Sequence, residues 1–135
     1  MTDADLRDIL RRARTVAVVG CSPKPERPSH GVARYLQKHG YRVVPVNPGH
    51  ETMLGERCYP SLTAAARDMR LDIVDVFRRS ELAGRVVDEA LPLAPALIML
   101  QEGVVDAAAA ARAAAANVPF VMDRCLSIEH NRLEV

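Results

Sequence analysis

At 135 residues the chain has room for one domain with a real core and too little for two ordinary ones. Hydrophobic residues make up 49% and charged residues 26%, the mix expected of a soluble globular protein. A formal net charge of +1 supplies no global field for nucleic acid or an acidic membrane, and no apolar run approaches the roughly 18 residues of a membrane span.

The N-terminal MTDADLRDILRRA predicts an amphipathic helix, capped by Thr2 or Asp3, with Leu6, Ile9 and Leu10 on its apolar face. It lacks the continuous apolar segment of a signal peptide. Val16-Ala17-Val18-Val19 marks a first strand over about 15–20, ending in Gly20. A polar, proline-rich loop follows, then a helix over about 29–39 that Gly40 stops. A second strand over about 41–47 ends in the turn sequence Asn47-Pro48-Gly49. Residues 50–60 are a polar excursion, read as a short hairpin or an ordered loop, and Ser61 is placed to cap a helix over about 61–68. A third strand is expected over about 72–77, then a helix over about 81–90 capped by Ser80. Pro92 and Pro95 break the chain before a fourth strand at about 96–100, and Glu102-Gly103 turns it. An alanine-rich helix over about 105–116, a short strand at 120–122 and one more helical turn in the tail complete the reading.

Strands alternate with helices throughout, and strands one, three and four are continuous apolar runs. Both features predict a single α/β domain over 1–135: a Rossmann-like, doubly wound parallel sheet of about five strands with helices on both faces. Its expected strand order is 3-2-1-4-5. In such sheets ligands bind outside the carboxyl ends of the strands. That rule selects five segments: Gly20 to Ser29, Val46 to Gly49, Phe77 to Ser80, Leu100 to Gly103, and Asp123 to Ser127.

The first of these carries Ser22, Lys24, Arg27, Ser29 and His30 among three prolines. Lys24 and Arg27 suit phosphate, and Ser29 is the expected helix N-cap. Of the 18 basic residues, all but Lys24 and Lys38 are arginine, which singles out Lys24. The loop is neither a dinucleotide fingerprint nor a P-loop, because the next glycine after Gly20 is Gly31. Strand two ends in Val46-Asn47-Pro48, where a nicotinamide-binding domain usually places a carboxylate for the ribose. The four histidines show no metal-ligand spacing; His39 reads as a helix C-terminal charge, while His50 and His130 show no partner. Cys21, Cys58 and Cys125 read as reduced thiols of a cytoplasmic chain; Cys21 and Cys125, near strand ends, read as small buried residues, with a thiol of lowered pKa as the alternative. Asp75 lies inside an apolar strand, so it is expected either at a sheet edge or partnered, with Arg78 or Arg124 as the candidate partners.

The segment VAVVGCSPKPERPSHGVARYLQKHGYRVVPVNP, followed by DIVDVFRR, LQEGV and DRCLSIEH, resembles the small stand-alone CoA-binding proteins. These are similar to the N-terminal CoA-binding domain of the succinyl-CoA synthetase α subunit, and the resemblance spans roughly residues 13–133. It implies coenzyme A as ligand. Carried over by position, Gly20, Ser22 and the Lys24–Ser29 loop would meet the phosphates, with His30 close by. Val46, Asn47 and Pro48 would lie near the adenosine or pyrophosphate, and Phe77 and Arg78 would close over the nucleotide. Gln101, Glu102 and Gly103 would meet the pantetheine, and Cys125 would lie near the crevice beyond. The synthetase also needs a phosphohistidine domain and a β subunit that this sequence does not supply. The implied role is therefore a CoA or acyl-CoA binding or accessory module, with an unidentified protein or a second copy as the open partner. The alternatives are an NAD(P)-linked redox protein and a thiol that forms a mixed disulfide with CoA.

Overall fold

Thr2 and Asp5 exchange hydrogen bonds, each side chain accepting from the other's N–H, and this capping box starts α1 (Asp3–Arg12). Leu6 and Leu10, one turn apart, form its buried face. The computed structural model describes residues 1–135. The chain continues through β1 (Thr15–Val19), α2 (Pro28–Lys38) and β2 (Arg42–Val46). A hairpin of β3 (Thr52–Met53) and β4 (Glu56–Arg57) precedes α3 (Leu62–Ala66). Then come β5 (Ile73–Val76), α4 (Ser80–Ala90), a 3-10 turn at Leu91–Leu93, β6 (Leu97–Leu100), α5 (Ala107–Ala115), β7 (Phe120–Val121) and α6 (Leu126–Arg132).

Five strands form one parallel sheet in the order β2-β1-β5-β6-β7. The Rossmann-like α/β class is as expected, but the order is not. Counting only the five sheet strands, it runs 2-1-3-4-5, so the chain crosses back over β1 after β2. The reason lies in residues 50–60, which cover the outer edge of β2. Tyr59 bridges Val46, its N–H donates to the Pro45 carbonyl, and its carbonyl accepts from the Asn47 N–H. With that edge taken, the fully buried β5 pairs on the free side of β1.

Alternation along the strands sorts the core into two layers. Val16, Val18, Ile73, Leu97 and Met99 face α1, α2 and α6. Ala17, Val19, Val74, Val76, Ile98 and Leu100 face α3, α4 and α5. Each leucine or isoleucine so enclosed contributes about 1.5–3 kcal/mol over its exposed state. At the amino ends of the strands, the Asp72 carboxylate accepts from the Arg14 and Thr15 N–H groups at 2.8 and 3.1 Å, fixing β5 beside β1.

Candidate functional site

Strand order reverses between β1 and β5, so the loops that follow them part and leave a crevice between. A cleft of ≈ 680 Å³ opens there. Its floor is the close approach of Gly20 to the β5 loop. Gly20 has φ +85°, and a Cβ at that position would lie 2.3 Å from the Phe77 carbonyl oxygen. The Gly20 N–H donates to Val46 at 2.8 Å and the Phe77 N–H to Val19 at 2.8 Å, so three strand ends meet at this point.

The first loop is closed by its own serines. Ser29 Oγ accepts the Ser22 N–H at 3.0 Å, and Ser22 Oγ accepts the Lys24 N–H at 3.1 Å. This corrects the reading of Ser29 as N-cap: Arg27 is the N-cap, and Pro28 occupies the first turn. Ser80 is corrected likewise. Arg79 is the N-cap of α4, and Ser80 Oγ accepts from the Val105 N–H at 3.0 Å. Asn47 Nδ2 donates to the Cys21 carbonyl at 2.8 Å and ties the end of β2 to the same loop.

Among the expected residues, Gly20, Ser22, Lys24, Arg27, Ser29, Asn47, Phe77, Arg78, Gln101 and Glu102 all line this one cleft. Five do not. Val46 is buried and presents only its carbonyl, to Gly20. His30 is buried in the first turn of α2, and Pro48 lies in the exposed turn after β2. Gly103 is in a turn outside the lining, its N–H held by Asp123 at 2.7 Å. Cys125 is the N-cap of α6, buried in the apolar layer with its Sγ 3.2 Å from Ser127 Oγ.

Lys24, Arg27 and Arg78 form no ion pair; Arg79 has only an exposed contact with Glu81 at 3.5 Å. Glu102 is the one carboxylate in the lining, so the cleft is basic. His50, Arg79 and Val104 also line it and were not among the expected residues. Arg79 stands inside the selected segment Phe77 to Ser80, and His50 lies one residue beyond Val46 to Gly49. Position past a strand end was the signal available for both.

Cys21 and Cys125 are small buried residues, as expected, and the alternative of a lowered thiol fails at Cys21. Cys21 is fully buried, and burial, with Cys58 and Asp75 nearby, pushes its thiol up to about 12 instead of lowering it. Asp75 has neither Arg78 nor Arg124 as partner: both its carboxylate oxygens are sealed in the core without a donor. Burial raises this carboxyl to about 8, which keeps it protonated at neutral pH. His130, expected to stand alone, shares a hydrogen bond of 2.9 Å with the Tyr35 hydroxyl.

Fold and site together define a Rossmann-like α/β domain with a basic cleft at its topological switch point. Residues 14–131 match the family model described as CoA binding domain, and the chain belongs to that family. CoA binding is thereby its coarse function. The chain is 36% identical over 127 residues to the uncharacterized protein YneT of Bacillus subtilis, covering 94% of this chain and 93% of YneT. The structure of cell-free ID.343 from Thermus thermophilus superposes with a TM-score of 0.90 at 41% identity, covering 98% of this chain and 99% of that one. A 77-residue stretch is 31% identical to the ADP-forming acetate–CoA ligase II of Archaeoglobus fulgidus; it takes in 56% of this chain and 11% of the ligase. No helix is long and apolar enough to cross a membrane.

Proposed function

We propose that the chain binds coenzyme A or an acyl-CoA in the cleft at the carboxyl ends of β1, β2, β5 and β6, as a binding or accessory module. The observation that carries this reading is the unpaired basic lining, Lys24, Arg27 and Arg78, around a glycine floor that only a Gly backbone can form. Phosphates replace lost water at such groups with charge-assisted hydrogen bonds, Arg in bidentate geometry. In this reading Lys24, Arg27, Arg78 and Arg79 hold the phosphates and Asn47 and His50 flank the adenosine. Phe77 closes over the nucleotide, and Gln101 and Glu102 meet the pantetheine. The volume is that of a small-ligand site. The binding role rests on the kind of groups present: cations and amides suited to hold charge, with both serine oxygens already accepting N–H groups of the loop itself.

Titration calorimetry with CoA, acetyl-CoA, NAD and ATP tests the reading. CoA and acetyl-CoA are expected to bind at one site per chain. Heat with NAD or ATP alone refutes it. Chromatography of acetyl-CoA after prolonged incubation tests the accessory role, which predicts an intact thioester.

A further inference from the structure

We propose that Asp123 is a positioning residue that aims Gln101 at an amide N–H of the ligand's arm, so that this end of the cleft selects a pantetheine-bearing ligand over the bare nucleotide. The inference rests on the CoA reading above and assigns a specificity device within it.

Gln101 follows β6 directly. Its N–H donates to Val76 at 3.2 Å, and its carbonyl accepts from Val104 at 2.9 Å. That closes a tight turn in which Gly103 has φ +82°, as the third position of a type II turn requires. The Gly103 N–H is then fixed by Asp123 Oδ1 at 2.7 Å. Asp123 itself sits in the left-handed region at φ 59°, a conformation that surrounding structure must hold. The next N–H, of Arg124, reaches back to Leu100 at 3.3 Å. The two-residue β7 thus delivers a clamp to the loop of its neighbour β6.

The clamped turn presents an amide with an unmet need. Gln101 lines the cleft, is only 9% exposed, and its Oε1 meets no donor. A buried acceptor of this kind is costly to leave unpaired. The terminal torsion of Gln is broad, so the amide is free to turn its oxygen toward a donor in the cleft. The matching group is an N–H donor; phosphates offer none, and in the reading above the adenine amine is placed beside Asn47 and His50 instead. A pantetheine arm offers two secondary amides.

Calorimetry of the full chain with CoA and with adenosine 3′,5′-bisphosphate, which has no arm, tests this. Gln101→Met is expected to weaken CoA about tenfold and leave the bisphosphate unchanged. Asp123→Ala should do the same. Asp123→Asn should restore CoA affinity to within about twofold, because its amide oxygen still accepts the Gly103 N–H and Asn tolerates positive φ. The Gln101→Met/Asp123→Ala pair should be no weaker than either alone, since one residue acts through the other. Equal loss for both ligands, loss for neither, full additivity, or an Asp123→Asn as weak as Asp123→Ala overturns the proposal. If Asp123→Ala fails to fold, Gln101→Met and Asp123→Asn still decide it. A wild-type chain that binds neither ligand sinks the CoA reading itself. One that binds both with a ratio unmoved by the variants sinks this inference alone.

Discussion

Replacing Asp75 by asparagine removes a titrating group from the middle of the sheet while keeping its shape. Asp75 is fully buried in β5, in register with Val18 and Met99, and its oxygens meet no donor. Burial alone raises its pKa from 3.8 to about 8. In the unfolded chain the carboxyl ionises above 3.8, whereas in the folded chain it holds its proton to about 8. Its contribution to stability is therefore fully present below 3.8 and is lost as pH rises through about 8. Between these limits the slope is about 1.4 kcal/mol per pH unit, so at pH 7 roughly 4 kcal/mol has gone. Asparagine carries no such loss but buries an unpartnered amide, at a cost of about 1–3 kcal/mol. Asp75→Asn should thus be more stable than wild type by about 1–3 kcal/mol at pH 7 and no more stable, or less, near pH 4.5. Urea unfolding followed by far-UV circular dichroism at several pH values measures the difference. With no tryptophan in the chain, the backbone signal is the better probe. A wild-type-to-variant difference that does not change with pH, or that favours the variant more in acid, refutes the assignment of a neutral buried carboxyl.

Gly20→Ala combines positive φ with a Cβ placed on the Phe77 carbonyl, so it should cost at least about 2 kcal/mol in urea unfolding and abolish CoA binding. Arg27→Ala should lose about 1.5–3 kcal/mol of CoA affinity in calorimetry, and unchanged affinity would remove Arg27 from the site. Raising ionic strength should weaken CoA binding, through the unpaired Lys24, Arg27 and Arg78; an affinity flat in salt would contradict a phosphate-holding role. His130 has its pKa lowered by burial and by His39, so stability should fall as pH drops below the ordinary 6.5, where the unfolded chain takes up the proton first. A His130→Gln variant whose acid slope above pH 5 equals that of wild type would sink that assignment.

Much of the fold was legible because local chemistry and tertiary packing agree. Thr2 starts α1 and Ser61 starts α3 through the side-chain bonds their positions promise. The apolar runs at Val16–Val19 and Ile73–Val76 are buried on both faces, as continuous hydrophobicity requires. Ten of the expected site residues share one cleft because a parallel sheet puts the ends of all its strands on one side. Where local and tertiary demands differ, the local reading fails. Ser29 and Ser80 look like helix caps, but their oxygens are taken by Ser22 and Val105, groups brought near by the fold. Cys21 follows a strand end, where both a buried residue and a reactive thiol were open, and the fold decides by turning its side chain into the core.

Hydrophobic period, glycine and proline punctuation and the basic first loop determined the α/β class, the strand boundaries and the end of the sheet where the basic cleft opens. These are properties of near neighbours in the chain. The strand order, the unpartnered state of Asp75, the raised thiol of Cys21 and the clamp of Asp123 on Gly103 were decided only in three dimensions. Each depends on which edge or cavity remains after distant segments have packed. That choice rests on pairing and burial between residues far apart in the chain, such as Tyr59 on Val46, and no local pattern encodes it.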